Sequence, residues 1–497
     1  MDRSTRRGFL GKAAGAGLVT SFPSVILGQK APAKRPSVLF FMSDDMRVEL
    51  GCYDSMFGAK TPNLDALAHS GVRFDRNYCQ FPLCNPSRAS LLNGRHPTTT
   101  GVLGNRTNFR TAHPDWISLP QLFRQNGYTS LRIGKIFHGG MDDTKAWTVG
   151  GGVPEGNGGA GGHALNIPRT LIPRPGETTA PPPPTNSRAL HSDQLIVLDG
   201  NGEGHPDYHT ADVAIEYLRK YKNEPFFLGC GFVKPHSPPC APQRFYDMYD
   251  VDRIQLTPDF AAWPTVPPGF PSAAIRKNNA DLFIGRGASV AEARQVIRAY
   301  IASISWADWN LGRVMAELDR QGLRQNTIVV FAVDHGYQLG EKGKWSKAGS
   351  LFEMGTRVPL IIAAPSAKGN GRVCRRVVQS VDIYATLAEL CNLPLPPGNE
   401  GHSHVPLLHN PDGRWDEPAY SVWSEDGETL HGVMVRNEKF RYAEFGPNGE
   451  HGAMLFDEHA DPYEMKNLAD DREYAKVRAE LSPLVRKYAS NLGKTPG

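Results

Sequence analysis

Three short, unbroken apolar runs punctuate the chain: Ser37-Val38-Leu39-Phe40-Phe41-Met42, Pro225-Phe226-Phe227-Leu228-Gly229-Cys230-Gly231-Phe232-Val233 and Thr327-Ile328-Val329-Val330-Phe331-Ala332-Val333. An apolar run without polar alternation predicts a strand covered on both faces, as in a parallel sheet. Helical spacing fills the intervals. Thr61-Pro62 opens one helix over 61–68, with Thr61 as N-cap and Pro62 at the first helical position. Ser118 to Asn126 forms another, and Ala299 to Arg320 carries apolar groups at helical spacing and ends before Gly322. The alternation predicts an α/β fold over 36–400, with a large mixed, mostly parallel sheet flanked by helices. Beyond residue 400 the pattern changes. Gly432 to Arg436 and Lys439 to Ala443 read as a hairpin turning at Asn437-Glu438, followed by an amphipathic helix over 472–492. Residues 401–497 therefore predict a smaller α+β subdomain with an antiparallel sheet.

Two stretches break the rhythm. Residues 149–187 run from Gly150-Gly151-Gly152 to Pro181-Pro182-Pro183-Pro184, a composition that cannot pack a core and predicts a surface-loop insertion. At the N-terminus, Thr5-Arg6-Arg7-Gly8-Phe9-Leu10-Gly11-Lys12 resembles a twin-arginine export motif, and Ala13 to Leu27 is small and apolar but too short and glycine-rich to anchor in a membrane. Residues 1–28 are thus expected to be a signal peptide, and the protein periplasmic or secreted, with no stable membrane span. The net charge of +4 partly reflects this segment: it holds four basic residues and one acid, leaving 51 bases against 50 acids. That balance gives no general attraction to nucleic acid or acidic lipid, so a polyanionic substrate needs a local cluster. Seven cysteines leave six to pair if one is modified, but spacing assigns no disulfide.

Polar residues gather directly after the predicted strands: Asp44-Asp45, Lys234-Pro235-His236 and Asp334-His335. In open parallel sheets the ligand crevice lies beyond the carboxyl ends of the strands. Adjacent carboxylates repel unless neutralised, and three of them suit a hard divalent ion, calcium or magnesium. The histidine leaves zinc or manganese open. A complementary set of bases surrounds these acids. Lys135 and His138 stand three apart, on one helical face or around one turn; Lys234 and His236 follow one strand, and Lys347 follows Asp334-His335. Together with Arg88, such cations can stabilise charge growing on a tetrahedral oxyanion.

Cys84 heads the run Cys84-Asn85-Pro86-Ser87-Arg88, with Gly94-Arg95 six residues after Arg88. This C-x-P-S-R pattern resembles the signature that marks a sulfatase cysteine for oxidation to formylglycine. With Ser43-Asp44-Asp45, Gly134-Lys135-Ile136-Phe137-His138, Lys234-Pro235-His236, Asp334-His335-Gly336, Trp345-Ser346-Lys347, Asp461-Pro462-Tyr463-Glu464 and Asn467-Leu468, the mature chain resembles a type I sulfatase of the alkaline-phosphatase superfamily. Within it, His335, where many sulfatases carry asparagine, makes the chain most similar to the iduronate-2-sulfatase group. Asn93 stands where threonine is frequent in the signature.

The resemblance implies an alkaline-phosphatase-like catalytic domain and calcium, with magnesium as the alternative, held by Asp44, Asp45, Asp334, His335 and the modified Cys84. It implies a maturase that makes formylglycine from Cys84, whose hydrate attacks sulfur in line while the metal and Arg88 favour its ionised oxygen. Lys135 and Lys347 bind sulfate oxygens, His236 protonates the leaving alcohol, and His138 takes the proton that lets the second hydroxyl expel sulfate. A gem-diol can collapse in this way, whereas a plain thiol or serine ester must await water. Lys234, with Tyr337, Trp345 and Arg106, is a further candidate contact to sugar. The expected activity is sulfate-ester hydrolysis on a sulfated sugar, with a 2-sulfated uronate as the narrower reading. A phosphonate monoester or phosphodiester hydrolase is the alternative enzyme, and a carbohydrate-binding scaffold without turnover the non-enzymatic one.

Overall fold

The computed structural model describes residues 35–151, 169–173 and 193–493. The signal segment and most of the 149–187 stretch lie outside these residues. The strands are β1 (Ser37–Asp44), β2 (Val72–Tyr78), β3 (Thr129–Gly134), β4 (Arg169–Leu171), β5 (Ile196–Leu198), β6 (Phe226–Pro235), β7 (Cys240–Pro242), β8 (Thr327–Val333), β9 (Arg357–Ala363), β10 (Val373–Gln379), β11 (Ala419–Trp423), β12 (Gly432–Arg436), β13 (Phe440–Phe445) and β14 (Ala453–Asp457). A seven-stranded sheet has the order β10-β2-β9-β8-β1-β6-β3, in which β9 alone runs against its neighbours. The three apolar runs become its adjacent central strands. In β1, Leu39 and Phe41 enter one core while Val38, Phe40 and Met42 enter another, so both faces are covered. The helices Pro206–Lys220 and Val290–Arg320 pack on the first face, and Cys84–Asn93 and Leu119–Gln125 on the second.

The expected helices form, with corrected ends. Val290–Arg320 begins nine residues before Ala299, because Ser289 and Glu292 form a capping box: Ser289 Oγ accepts from Glu292 N at 3.2 Å, and Glu292 Oε2 from Ser289 N at 3.0 Å. Thr61 precedes Pro62–Ser70 but does not cap it; its hydroxyl accepts from Gly51 N and donates to Asp65. The 149–187 stretch is not loop throughout, since Arg169–Leu171 is strand β4, paired antiparallel to β5. The last helix is shorter than expected, Ala475–Ala489. None of the seven cysteines is disulfide-bonded. Among the described residues no helix is long and apolar enough to cross a membrane.

The hairpin at Asn437-Glu438 is the centre of a four-stranded antiparallel sheet, β11-β12-β13-β14. Arg441, on β13, ties this sheet to the segment after Lys347. Its guanidinium is fully buried, pairs with Glu353, Glu458 (2.8 Å) and Glu464 (3.0 Å), and donates to Leu351 O at 2.9 Å. Glu464, from the Asp461-Pro462-Tyr463-Glu464 motif, also accepts from Glu353 N at 2.8 Å. Against the effect of burial, Arg441 and Arg436 hold Glu353 down to about 2; burial, with Glu458 adjacent, pushes Glu464 up to about 8. Removing the shared cation leaves three buried carboxylates crowded together with Arg436 as their main remaining counter-charge. Arg441→Met is therefore expected to cost about 3–5 kcal/mol in urea unfolding, with partial recovery when Glu353→Gln is added.

Candidate active site

β1, β6 and β8 run side by side and deliver Asp44-Asp45, His236 and Asp334-His335 to one sheet edge. β3 ends at Gly134, and Lys135 to His138 follow in a turn rather than on a helix. The turn passes close over β6: a Cβ at Gly231 would lie 2.2 Å from Lys135 O, so the approach needs a glycine there. Cys84 opens the helix Cys84–Asn93 just beyond the end of β2. Residues from five strand ends thus meet around one sulfur.

Cys84 is 2 % exposed. The thiol of Cys84 donates to Asp44 Oδ1 at 3.4 Å, and His335 Nε2 lies 3.2 Å from Sγ. Lys135 Nζ donates to Asp44 Oδ2, and Lys347 Nζ to Asp45 Oδ2 at 2.9 Å. Arg88 Nε donates to Asp334 Oδ2 at 2.9 Å, while Nη1 donates to Lys135 O and Ile136 O at 2.6 and 2.9 Å. Arg88 therefore locks the Lys135 turn to the third carboxylate.

Three buried carboxylates here can hold a divalent cation, and the imidazole and sulfur beside them leave its identity open. Asp44, Cys84, Asp334 and His335 each offer a buried ligand atom, all within 4.8 Å of one another; Asp44, Asp45 and His236 form a second such group sharing Asp44. Asp45 Oδ1 accepts no hydrogen bond, and His335 Nδ1 lies 3.2 Å from it. Burial raises Asp45 well above the usual carboxylate range, despite Lys347. Asp44 goes the opposite way: against burial, the cations of Lys135 and Arg88 hold it ionised. Burial opposes charge on His335, yet Asp334 and Cys84 raise it to about 10. Adjacent carboxylates driven apart in this way, beside a histidine forced toward the cation, mark a place where positive charge is stabilised.

Two histidines are held neutral. Burial, reinforced by Lys135, brings His138 down to about 4, and its buried Nδ1 has no partner. Burial and Lys347 also lower His236 well below the usual range. His236 Nδ1 lies 2.7 Å from Ser237 O, which can only accept, so the proton sits on Nδ1 and Nε2 is the free basic atom, 3.8 Å from Asp45.

Three expectations change. Lys234 is fully buried and donates to His236 O and Pro238 O at 2.7 and 2.8 Å, so it shapes the turn that carries His236 and does not reach for substrate. Tyr337 and Trp345 are core residues, 1 % and 0 % exposed, with the Tyr337 hydroxyl donating to Trp345 O. Arg106 is exposed, on the turn beside Asn85.

Asp281 was invisible in the sequence, because it lies in a stretch with no periodicity and no recognised motif. It is 1 % exposed and accepts from Lys347 Nζ at 3.2 Å and from Ser346 Oγ at 2.9 Å. Asp281, ahead of Asp45, keeps Lys347 charged against the cost of burial. Asp281→Asn is expected to lower kcat/KM by roughly 10–100-fold, mostly in kcat, with Asp281→Glu restoring part of it; unchanged kinetics in both variants would refute the role.

The fold is of the alkaline-phosphatase-like α/β class, with a buried cluster of acids and bases at the carboxyl ends of its central strands. A family model described as Sulfatase matches residues 36–393, and one described as N-sulphoglucosamine sulphohydrolase, C-terminal, matches 340–491. The chain is 31% identical over 468 residues to a sulfatase of Formosa agariphila, covering 91% of this chain and 87% of that protein. It is 31% identical over 443 residues to iduronate 2-sulfatase of Homo sapiens, covering 79% and 76%. Among solved structures it resembles BT4656 in complex with its substrate D-glucosamine-2-N,6-O-disulfate, at TM-score 0.68 and 22% identity over 93% of this chain and 99% of that one. A phosphonate monoester hydrolase of Agrobacterium radiobacter shares the fold at TM-score 0.70 and 22% identity, covering 93% and 97%. The chain belongs to the sulfatase family and is a sulfuric ester hydrolase.

Proposed function

We propose that the protein removes sulfate from a sulfated sugar, a 2-sulfated uronate in the narrower reading, after export by the twin-arginine-type segment at 1–28 to the periplasm or beyond. The observation that carries this is the convergence on Cys84 of two buried lysines and two histidines held neutral. Support for a sugar comes from the iduronate 2-sulfatase relative and from the glucosamine disulfate bound to the solved neighbour.

A calcium ion held by Asp44, Asp45, Asp334 and His335 would supply Lewis-acid stabilisation of negative oxygen. Formylglycine, made from Cys84 by a maturase, would supply a geminal diol as nucleophile. The chain's own residues do the rest. Each buried lysine lies against a carboxylate of the cluster, so Lys135 and Lys347 stand where they can hold sulfate oxygens and stabilise charge as the S–O bond breaks. Arg88, joined to Asp334 and to the Lys135 carbonyl, fixes the distance between acid and lysine. The anionic sulfate ester entering beside His236 favours its protonation at Nε2 by solvent, and that proton passes to the alcohol oxygen as its bond to sulfur breaks. His138, neutral down to about pH 4 and with Nδ1 unpartnered, is ready to accept the proton released in the second half of the cycle.

The test is a screen of defined sulfated oligosaccharides with protein whose Cys84 has been converted. Sulfate release from 2-sulfated uronates is expected. Release only from sugars lacking that group would overturn the narrower reading and leave the broader one standing.

A further inference from the structure

Three loops meet beside the catalytic residues. The first is the 104–107 turn, tied to the neighbour of Cys84: Asn85 Nδ2 donates to Gly104 O at 2.9 Å and Thr107 O at 2.8 Å. The second joins β11 to β12 and lies over that turn, so close that a Cβ on Gly104 would stand 3.3 Å from Gly427 Cα. The third, around 272–278, is bound to the second through Arg276 and Glu425 at 3.0 Å. Arg276 also crosses Gly349, two residues after Lys347, where a Cβ would lie 2.6 Å from its Cγ and Cδ. Between the second and third loops is a cavity of about 290 Å³, lined among others by Arg276, Lys277, Trp423, Glu425 and His431.

Its charge is unbalanced. Glu425 answers Arg276, whereas Lys277 is exposed and has no carboxylate partner among the described residues. Behind the wall, Lys344 is 2 % exposed and among the described residues makes only long contacts, at 3.5 and 3.4 Å, to the carbonyls of Arg276 and Asn278. Burial, with Arg276 adding repulsion against the pull of Asp281 and Glu425, holds Lys344 down to about 8. Trp423 is 5 % exposed and donates from Nε1 to Glu425 at 2.9 Å, so it braces the wall and offers no open ring face. A polar, net-cationic cavity without a stacking platform selects for anionic groups.

The geometry points to a second, anion-reading sugar subsite: this cavity takes the sulfate or carboxylate of the sugar unit adjoining the one whose ester is cleaved, so the enzyme acts on acidic oligosaccharides in preference to single sugars. The inference rests on the sugar-sulfate reading above.

Three substrates test it: 2-sulfated uronic acid alone, the same unit linked to a 6-sulfated glucosamine, and 4-nitrophenyl sulfate. The unsubstituted protein is expected to favour the disaccharide over the monosaccharide in kcat/KM, by less as salt is raised. Lys277→Glu should cut disaccharide kcat/KM about tenfold, through KM, and Lys277→Ala less, with the aryl sulfate and the monosaccharide unmoved. Equal effects on all three substrates, or none, would overturn the subsite. Turnover of the aryl sulfate but of neither sugar by the unsubstituted protein would instead sink the sugar reading, and the subsite with it; that failure shows before any variant is made.

Discussion

Cys84→Ala is expected to reduce sulfate release by roughly 10⁵–10⁶-fold while leaving the protein folded. The side chain is buried, but among the described residues its polar contacts are with Asp44 and His335 alone, so its loss removes the proposed nucleophile and little packing. Circular dichroism and urea unfolding of the variant separate lost chemistry from lost structure. The measurement that reaches deeper is the mass of the peptide containing residue 84 from an active preparation. An aldehyde mass in proportion to activity is expected, and an intact thiol in a fully active protein would sink the formylglycine reading while leaving Cys84 as a nucleophile.

The second large effect depends on the leaving group. His236→Gln is expected to lower kcat by roughly 10²–10⁴-fold on a sugar sulfate, the range of a positioned general acid. On 4-nitrophenyl sulfate the loss should be under about tenfold, because a stable phenolate departs without a proton. The prediction follows from the tautomer: Ser237 O at 2.7 Å keeps the resident proton on Nδ1 and leaves Nε2 to exchange one. Parallel kcat measurements on the two substrates decide it. Equal losses would assign His236 to holding the site together, as its 3.8 Å approach to Asp45 allows, and not to proton transfer.

Much of the sheet was legible in the chain. β1, β6 and β8 appear as unbroken apolar runs because both of their faces are buried, and burial on both faces leaves no polar alternation to blur them. β2 and β10 carry arginines along the sheet's outer side and gave no such signal. The early turns of Val290–Arg320 were missed because they are partly exposed, although the capping box at Ser289 and Glu292 was there to be read. Around the site, Asp44, Asp45, His236, Asp334 and His335, all placed at strand ends, reached the cluster, but their partners did not follow from their positions. Lys234 and His236 are two apart, and one supports the turn while the other faces the reacting centre. Tyr337 and Trp345, polar enough at one edge to suggest a sugar contact, lie in the core.

The sequence by itself determined the class of fold, the strand ends at which chemistry gathers and the cysteine at their focus. These are short-range properties, written in the burial of single strands and in motifs a few residues long. Only the tertiary structure decided the pairings: Lys135 with Asp44, Lys347 with Asp45, Arg88 with Asp334. Each depends on parallel register, which sets β1 between β6 and β8 and brings Asp44 level with Pro235. Asp281 shows the limit most clearly. It meets Lys347 across 66 residues, and no local pattern encodes a contact made when two loops close over the same sheet edge.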